Sequence, residues 1–457
     1  MKRFLPILLL GIYQFSFAQD NLPTEVALGP AYANQVFFSL SDGSTQGHPN
    51  TTWDIAFEVF SRQNAGVFVN EAVSLSQGNP IPQLELFAVD SLSFEVVTDS
   101  TVLLDIAAGM LDSTLVSERL HNPDESWNEG AFNTVKSPQN PFDFGWGVYD
   151  PATNVVSGSQ VYLLKLRDST FKKLIVQSLD SNRFEFRYAN LDGSADTTQV
   201  VSRSDYAGKT LVYFSFDSES FLDLEPASWD LLFTRYSTPL IDPSTNGILQ
   251  YIVTGVLSGN GVTVAQVDGI DPTMLVESTI EEIEQFLPDS ISSIAEVFND
   301  SLVSIGYDWK SFVFSTFSWN LPEDRIYVVK TANDSLYMLQ FIDFEGSSTG
   351  LSVFQTTPLG QLSTSSQEGL KKLFSYRSYP NPVRDRLTIA YELDTFIGDS
   401  DLKIFDNQGR TVLNIPLNSN LGLNVKDIDV KLPAGTYFVQ LQLGTRQISE
   451  PLIVLPY

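Results

Sequence analysis

The chain has 457 residues, 27 Lys+Arg against 55 Asp+Glu for a net charge of −28, and no cysteine. The lack of cysteine excludes disulfides, thiolate metal sites, a cysteine nucleophile and a lipid-modified cysteine, and the acidic excess repels phosphate backbones and argues against nucleic acid as a partner. Stability must come from core size, and the length suffices for two or three domains.

The N-terminus places Lys2 and Arg3 before an apolar run from Phe4 to Tyr13, followed by Ser16-Phe17-Ala18. A basic head, a short apolar run and a small-x-small site predict a signal peptide over residues 1–18, cleaved after Ala18. The run is too short for a bilayer, which takes about 20 residues, and its apolar residues mark no helical face. No later stretch is long and apolar enough to span, so the mature protein is expected to be soluble.

The body reads as β. Val36–Leu40, Phe184–Tyr188, Leu211–Phe216, Ile326–Lys330 and Tyr337–Phe344 are rich in aromatic and β-branched residues and are separated by Asp-Gly, Asn-Gly and Ser-Gly turns. Two helices are predicted, Thr101–Met110 and Thr279–Phe286, the latter capped by Ser278 and stopped near Pro288. Asn190-Leu191-Asp192-Gly193 reads as a solvated turn, since no calcium loop of alternating carboxylates with a distal Glu surrounds it.

Sliding the body against itself produces ordered matches. Val36–Leu40 matches Val212–Phe216 and Trp53–Phe57 matches Trp229–Phe233, both at an offset of 176, with Ser61 on Ser237. Tyr162–Lys165 then matches Tyr327–Lys330 at an offset of 165, each after an aromatic segment, Phe144-Gly145-Trp146 or Gly306-Tyr307-Asp308-Trp309. A duplicated unit is the expectation. Trp53 and Trp229 would anchor a core, each needing a partner for its ring N–H. Asp54 and Asp230 face away from that layer and suit a structural role, accepting backbone N–H groups from a neighbouring turn.

The Trp-Asp-apolar-x-Phe strand, the Gly turns Asn64-Ala65-Gly66 and Asn246-Gly247, and the late strand Tyr327–Thr331 followed by Tyr337–Phe341 resemble the HmuY-like family. The resemblance implies all-β domains over two copies, and family members are exported haem-binding proteins that hold iron with loop side chains. Haem iron takes His or Met as axial ligands. The candidate ligands here are His48 and His121, both in the first copy and both read as loop residues, with Met274 and Met338 in the second. The copies share no candidate ligand, and Met338 lies in a strand and suits core filling. No cofactor is therefore expected, with haem as the alternative. Enzyme signatures are sparse. No nucleophile elbow supports a triad with His48 or His121, two histidines are too few for a zinc site, and no Gly-rich phosphate loop is present. A carboxylate pair for glycoside hydrolysis is left open by the many acidic residues. The 32 Phe and 17 Tyr mostly fill cores but leave room for carbohydrate or protein binding.

Gln355 to Lys372 is Ser/Thr/Gly-rich and reads as an extended linker. Beyond it the composition shifts. Eight of the basic and nine of the acidic residues lie from Ser375 onward, leaving 19 and 46 before it, so the tail is nearly neutral and the body carries the charge. Leu387–Tyr391, Asp401–Phe405, Val412–Ile415 and Tyr437–Leu441 alternate as strands, with a hairpin turn at Asn407-Gln408-Gly409-Arg410. About seven short strands predict a small β-sandwich. Tyr379-Pro380-Asn381-Pro382-Val383, then Ile404–Arg410 with Asp406, Gly409 and Arg410, then Leu432-Pro433-Ala434-Gly435-Thr436-Tyr437 closely resemble the type A C-terminal sorting domain of the type IX (Por) secretion system of Bacteroidetes. That implies Sec export, outer-membrane passage by the type IX machinery, cleavage in the linker before Tyr379, and release or surface attachment. Arg446 and Glu450-Pro451 stand where family members usually carry lysines.

The expected architecture is all-β: a signal peptide at 1–18, HmuY-like domains at 20–205 and 206–354, a linker at 355–374 and a sorting domain at 375–457. The expected function is an exported, non-catalytic binding or structural protein. A haem or small-ligand carrier and a polysaccharide hydrolase are the alternatives.

Overall fold

A computed structural model of the chain describes residues 23–61, 64–72, 83–242, 245–270, 279–288, 291, 293–361, 376–379, 381–393, 400–406, 409–417, 422–443 and 446–455. The expected signal peptide and Met274 lie outside these residues. The chain is all-β, because its apolar residues alternate. In strand Arg183–Asn190, Phe184, Phe186 and Tyr188 are buried while Glu185 and Arg187 are half-exposed, the period of a one-sided sheet. Among the described residues no helix is long and apolar enough to cross a membrane, which leaves β-barrel crossing unaddressed.

Among the described residues the body holds two large sheets, of seven and five strands, two small four-stranded sheets and two two-stranded hairpins. The first small sheet pairs Ser220–Leu222, Leu211–Ser215, Ile55–Glu58 and Val67–Val69 in that order. The second pairs Thr45–Pro49, Asn34–Phe38, Leu231–Ile241 and Ile248–Ser258. One face of each packs under a large sheet. Ile55, Phe57, Val212 and Phe214 meet Tyr162, Leu174, Phe184 and Phe186; Val36, Phe38, Leu231 and Phe233 meet Tyr327, Leu339, Phe341 and Phe354. The opposite faces meet each other, through Ala56, Leu211 and Tyr213 on one side and Phe37, Leu232 and Tyr236 on the other. The outer faces of the large sheets are covered in turn, one by Phe94, Val97 and Val102, the other by Ile283 and Ile294.

Strand pairing crosses the two sequence segments reciprocally. Strand Leu211–Ser215 pairs with Ile55–Glu58, and Asn34–Phe38 pairs with Leu231–Ile241. Thr24–Ala27 likewise closes the large sheet of the C-terminal half by pairing with Leu351–Gln361. Pairing therefore crosses residue 205: Leu211–Ser215, beyond it, joins Ile55–Glu58, while Thr197–Ser202, before it, joins Arg183–Asn190. The geometry of the two crossings agrees closely. Asp54 Oδ2 accepts from Phe216 N at 2.7 Å and Asp230 Oδ2 from Leu40 N at 2.8 Å. Trp53 meets the Tyr213 ring edge-on at 5.1 Å and 67°, and Trp229 meets Phe37 at 5.0 Å and 68°.

Four local expectations are corrected. Thr101–Met110 is not a helix: a single turn, Asp99–Val102, gives way to strands Leu103–Asp105 and Met110–Leu111. The Asp105 carboxylate accepts from Ala107 N and Ala108 N, and Gly109 takes a positive φ of 62°, which together close a hairpin. The second helix, Ile280–Glu284, is capped by Thr279, whose hydroxyl accepts from Glu282 N while the Glu282 carboxylate accepts from Thr279 N; the expected cap Ser278 lies outside the described residues. His48 lies in a strand, opposite Gln35, rather than in a turn. Strand Leu351–Gln361 takes up the start of the expected linker, Thr356 and Thr357 pairing with Leu339 and Met338; residues 362–375 lie outside those described.

The tail folds into a three-stranded sheet and a four-stranded sheet. Leu387, Ile389 and Tyr391 face Leu402, Ile404, Val439 and Leu441 across one core.

Candidate functional site

Each histidine is held by the protein. His48 Nε2 lies 2.9 Å from the Leu224 carbonyl and 3.0 Å from Gln46 Nε2. His121 Nδ1 meets buried Glu71 at 2.6 Å and the Ser237 hydroxyl at 3.3 Å. The two share no hydrogen-bond partner. Serine and glutamate both address the same ring nitrogen of His121, whereas a triad places them on opposite nitrogens, so this cluster does not form the relay. Met338 is 4% exposed in a core with Ala265, Val328 and Ile283.

Between the two small sheets lies a cavity of about 80 Å³, bordered by Gln35, Trp53, Trp127, Tyr213, Thr234 and Tyr236. The Gln35 Nε2 and Tyr236 hydroxyl groups on its walls have no hydrogen-bond partner among the described residues. The Tyr236 phenol is held well above its usual value by burial, so it stays a donor. A water takes about 30 Å³ and ligand pockets run to roughly 300–1,000 Å³, so this space suits a few waters and is too small for a haem. Neither histidine borders it.

A larger groove of about 530 Å³ opens beside Trp229 and Asp230. Its walls come from both halves: Val59, Phe60 and Arg203 from the first, Lys209, Asn260, Thr331 and Ala332 from the second. Arg203 pairs with buried Glu58 at 2.9 Å and Lys209 with Asp223 at 3.0 Å.

The two Asp residues differ in their ionic surroundings. Asp54 Oδ1 receives Arg167 at 2.5 Å, and the same guanidinium donates to the Trp53 carbonyl at 3.2 Å. Among the described residues the Asp230 carboxylate accepts only from Leu40 N and forms no ion pair. Both carboxyls are raised by burial; the lowering contribution of Arg167 at Asp54 has no cationic counterpart at Asp230. The tryptophan ring nitrogens find Gln35 and Glu225 as acceptors. The Arg167 pairing was missed from sequence, although the 165 offset that aligns Lys165 with Lys330 also aligns Arg167 with Ala332.

In the tail, the polar residues of the motif hold turns and, at Asn381, join distant segments. The Asn381 amide donates to the Pro451 carbonyl at 2.8 Å and accepts from Ile453 N at 2.9 Å. Val383 is buried and exchanges backbone bonds with Ile453 and Leu455. Asp406 accepts from Arg410 N at 3.0 Å and from its guanidinium at 2.8 Å, with Gly409 at φ 77° closing the turn. The Tyr437 hydroxyl donates to the Pro433 carbonyl at 2.9 Å. Pro380 lies outside the described residues; Pro382 and Gly435 are exposed.

Residues 377–455 match the family described as the secretion system C-terminal sorting domain. The chain carries a type IX sorting domain. It marks the protein as cargo of that route, bound for the cell surface or the extracellular space. Residues 207–355 match the HmuY protein family, in one copy. Both histidines lie outside that match, so the matched region offers no imidazole to a haem. No curated protein matches the chain. Among solved structures, dimeric latent PorU from Porphyromonas gingivalis is 11% identical, covering 95% of this chain and 34% of that one, at a TM-score of 0.18. The chain spans about a third of that protein's length. The matched region begins within the strand Tyr376–Tyr379, and its motif residues brace the turns and the junction with the last strand of the sandwich.

Proposed function

We propose that the protein is an exported, non-catalytic cargo whose body, built from two copies of an HmuY-like unit, serves binding or structure at the surface of a Bacteroidetes-type cell. The sorting domain would be read by the type IX machinery after Sec export directed by residues 1–18, then removed before Tyr379. The observation that carries the export reading is the match over 377–455, in which Asn381 joins the two ends of the sandwich. Duplication is supported by the paired contacts of Asp54 with Phe216 and Asp230 with Leu40, four positions related by a single offset of 176. Deleting Tyr376–Tyr457 is expected to trap the protein inside the cell; normal appearance in the medium or on the surface would overturn the export reading.

The HmuY match favours a second reading, a haem or small-ligand carrier. The histidines do not fit a shared axial pair, since each is committed to different protein partners. Titrating the protein with haem is expected to give no Soret band that depends on either imidazole. A saturable band abolished by His48→Ala or His121→Ala would restore the carrier reading.

A further inference from the structure

The two β-turns that follow the Tyr-x-x-Lys strands are built alike. Leu166 N bonds to Thr170 O at 2.8 Å and Thr331 N to Ser335 O at 2.9 Å; Ser169 and Asp334 both take positive φ, 69° and 65°. Arg167 in the first turn therefore corresponds to Ala332 in the second. In the first turn the guanidinium reaches three acceptors, the Asn50 carbonyl at 3.4 Å and, closer, Asp54 Oδ1 and the Trp53 carbonyl. The corresponding acceptors, Asp230 Oδ1 and the Trp229 carbonyl, carry no hydrogen bond among the described residues, and Trp229, Asp230 and Ala332 all border the 530 Å³ groove.

The geometry points to a binding site for an external guanidinium group, such as an arginine side chain of a peptide, seated on Asp230 and the Trp229 carbonyl where the first half uses its own Arg167. Three features support this. Asp230 is 7% exposed, so its charge is costly without a cation. A planar guanidinium matches a carboxylate with an adjoining carbonyl better than a lysine ammonium does. The neighbouring Arg203 and Lys209 are already neutralised by Glu58 and Asp223, and an acidic body steers cations toward it. The inference rests on the cargo reading for its biological meaning, but its test is read on the body and the export test on the tail, so either can fail alone.

The probe is N-acetyl-arginine amide, with the neutral isostere N-acetyl-citrulline amide beside it, titrated into the full protein by calorimetry at low salt. Saturable binding of the arginine compound is expected, at least tenfold weaker for citrulline and for Asp230→Asn. Ala332→Arg supplies the internal guanidinium and is expected to abolish binding while leaving the circular dichroism and the melting transition intact. Equal binding by citrulline, or undiminished binding by the Ala332→Arg protein, would overturn the site. So would absence of binding to the parent.

Discussion

Lys310 is 7% exposed, donates to the Thr254 carbonyl at 2.6 Å and lies over the rings of Trp309, Phe344 and Trp319 at 4.0, 4.7 and 6.0 Å. Burial brings its ammonium down to about 7, against the opposing pull of Asp308. The rings favour the cation by about 0.5–2 kcal/mol each, so the amine is held in balance between desolvation and π-electron attraction. The sign of the pH effect follows. The folded value is below that of the unfolded chain, so between pH 7 and about 10.5 unfolding takes up a proton. Stability from this group is lowest below pH 7 and rises as pH climbs toward the unfolded value. Lys310→Met removes the titration. Denaturant melts at pH 6, 8 and 10 should show the variant gaining on the parent toward acid by on the order of 3 kcal/mol; parallel curves for the two proteins would show that the cage holds a permanent cation.

At the scale of elements, legibility followed from how local the signal was. Phe184–Tyr188 and Leu387–Tyr391 were readable because burial alternates residue by residue, and the Asp406–Arg410 turn because its glycine needs positive φ. Thr45–Pro49 was not, because Gly47-His48-Pro49 looks like a turn; Pro49 ends the strand instead, at the edge of the sheet. Thr101–Met110 failed because apolar spacing over one short stretch fits a helix and a hairpin equally, and the Asp105 bonds decide it. Pro358 and Gly360 suggested a linker, yet the ladder absorbs them by a register shift opposite Leu336 and Tyr337. For the site, both Asp residues were visible but the cation on Asp54 was not, since an ion pair 113 residues apart leaves no trace in periodicity.

The reciprocal pairing has a consequence for the whole molecule. The same strand pattern is satisfied whether Leu211–Ser215 pairs within its own segment or with Ile55–Glu58, so the choice is invisible in sequence and appears only in the register. The N-terminal strands and the residues that flank them contribute Val26, Leu28, Val36, Phe38 and Leu40 to the core of the C-terminal half. At about 1.5–3 kcal/mol per buried side chain, those five are worth on the order of 10 kcal/mol, comparable to the roughly 5–15 kcal/mol that holds a whole domain. Neither half should then stand without strands from the other. A protease site placed between Ala207 and Gly208 tests this, because a Cβ at Gly208 meets nothing within 4 Å and the loop accepts an insertion. After cleavage the fragments are expected to elute together in native buffer and to part only in denaturant, since Leu211–Ser215 stays bound to Ile55–Glu58 and Asn34–Phe38 to Leu231–Ile241. Separation in native buffer would mean that each segment closes on its own strands, and that the reciprocal pairing does not hold the body together.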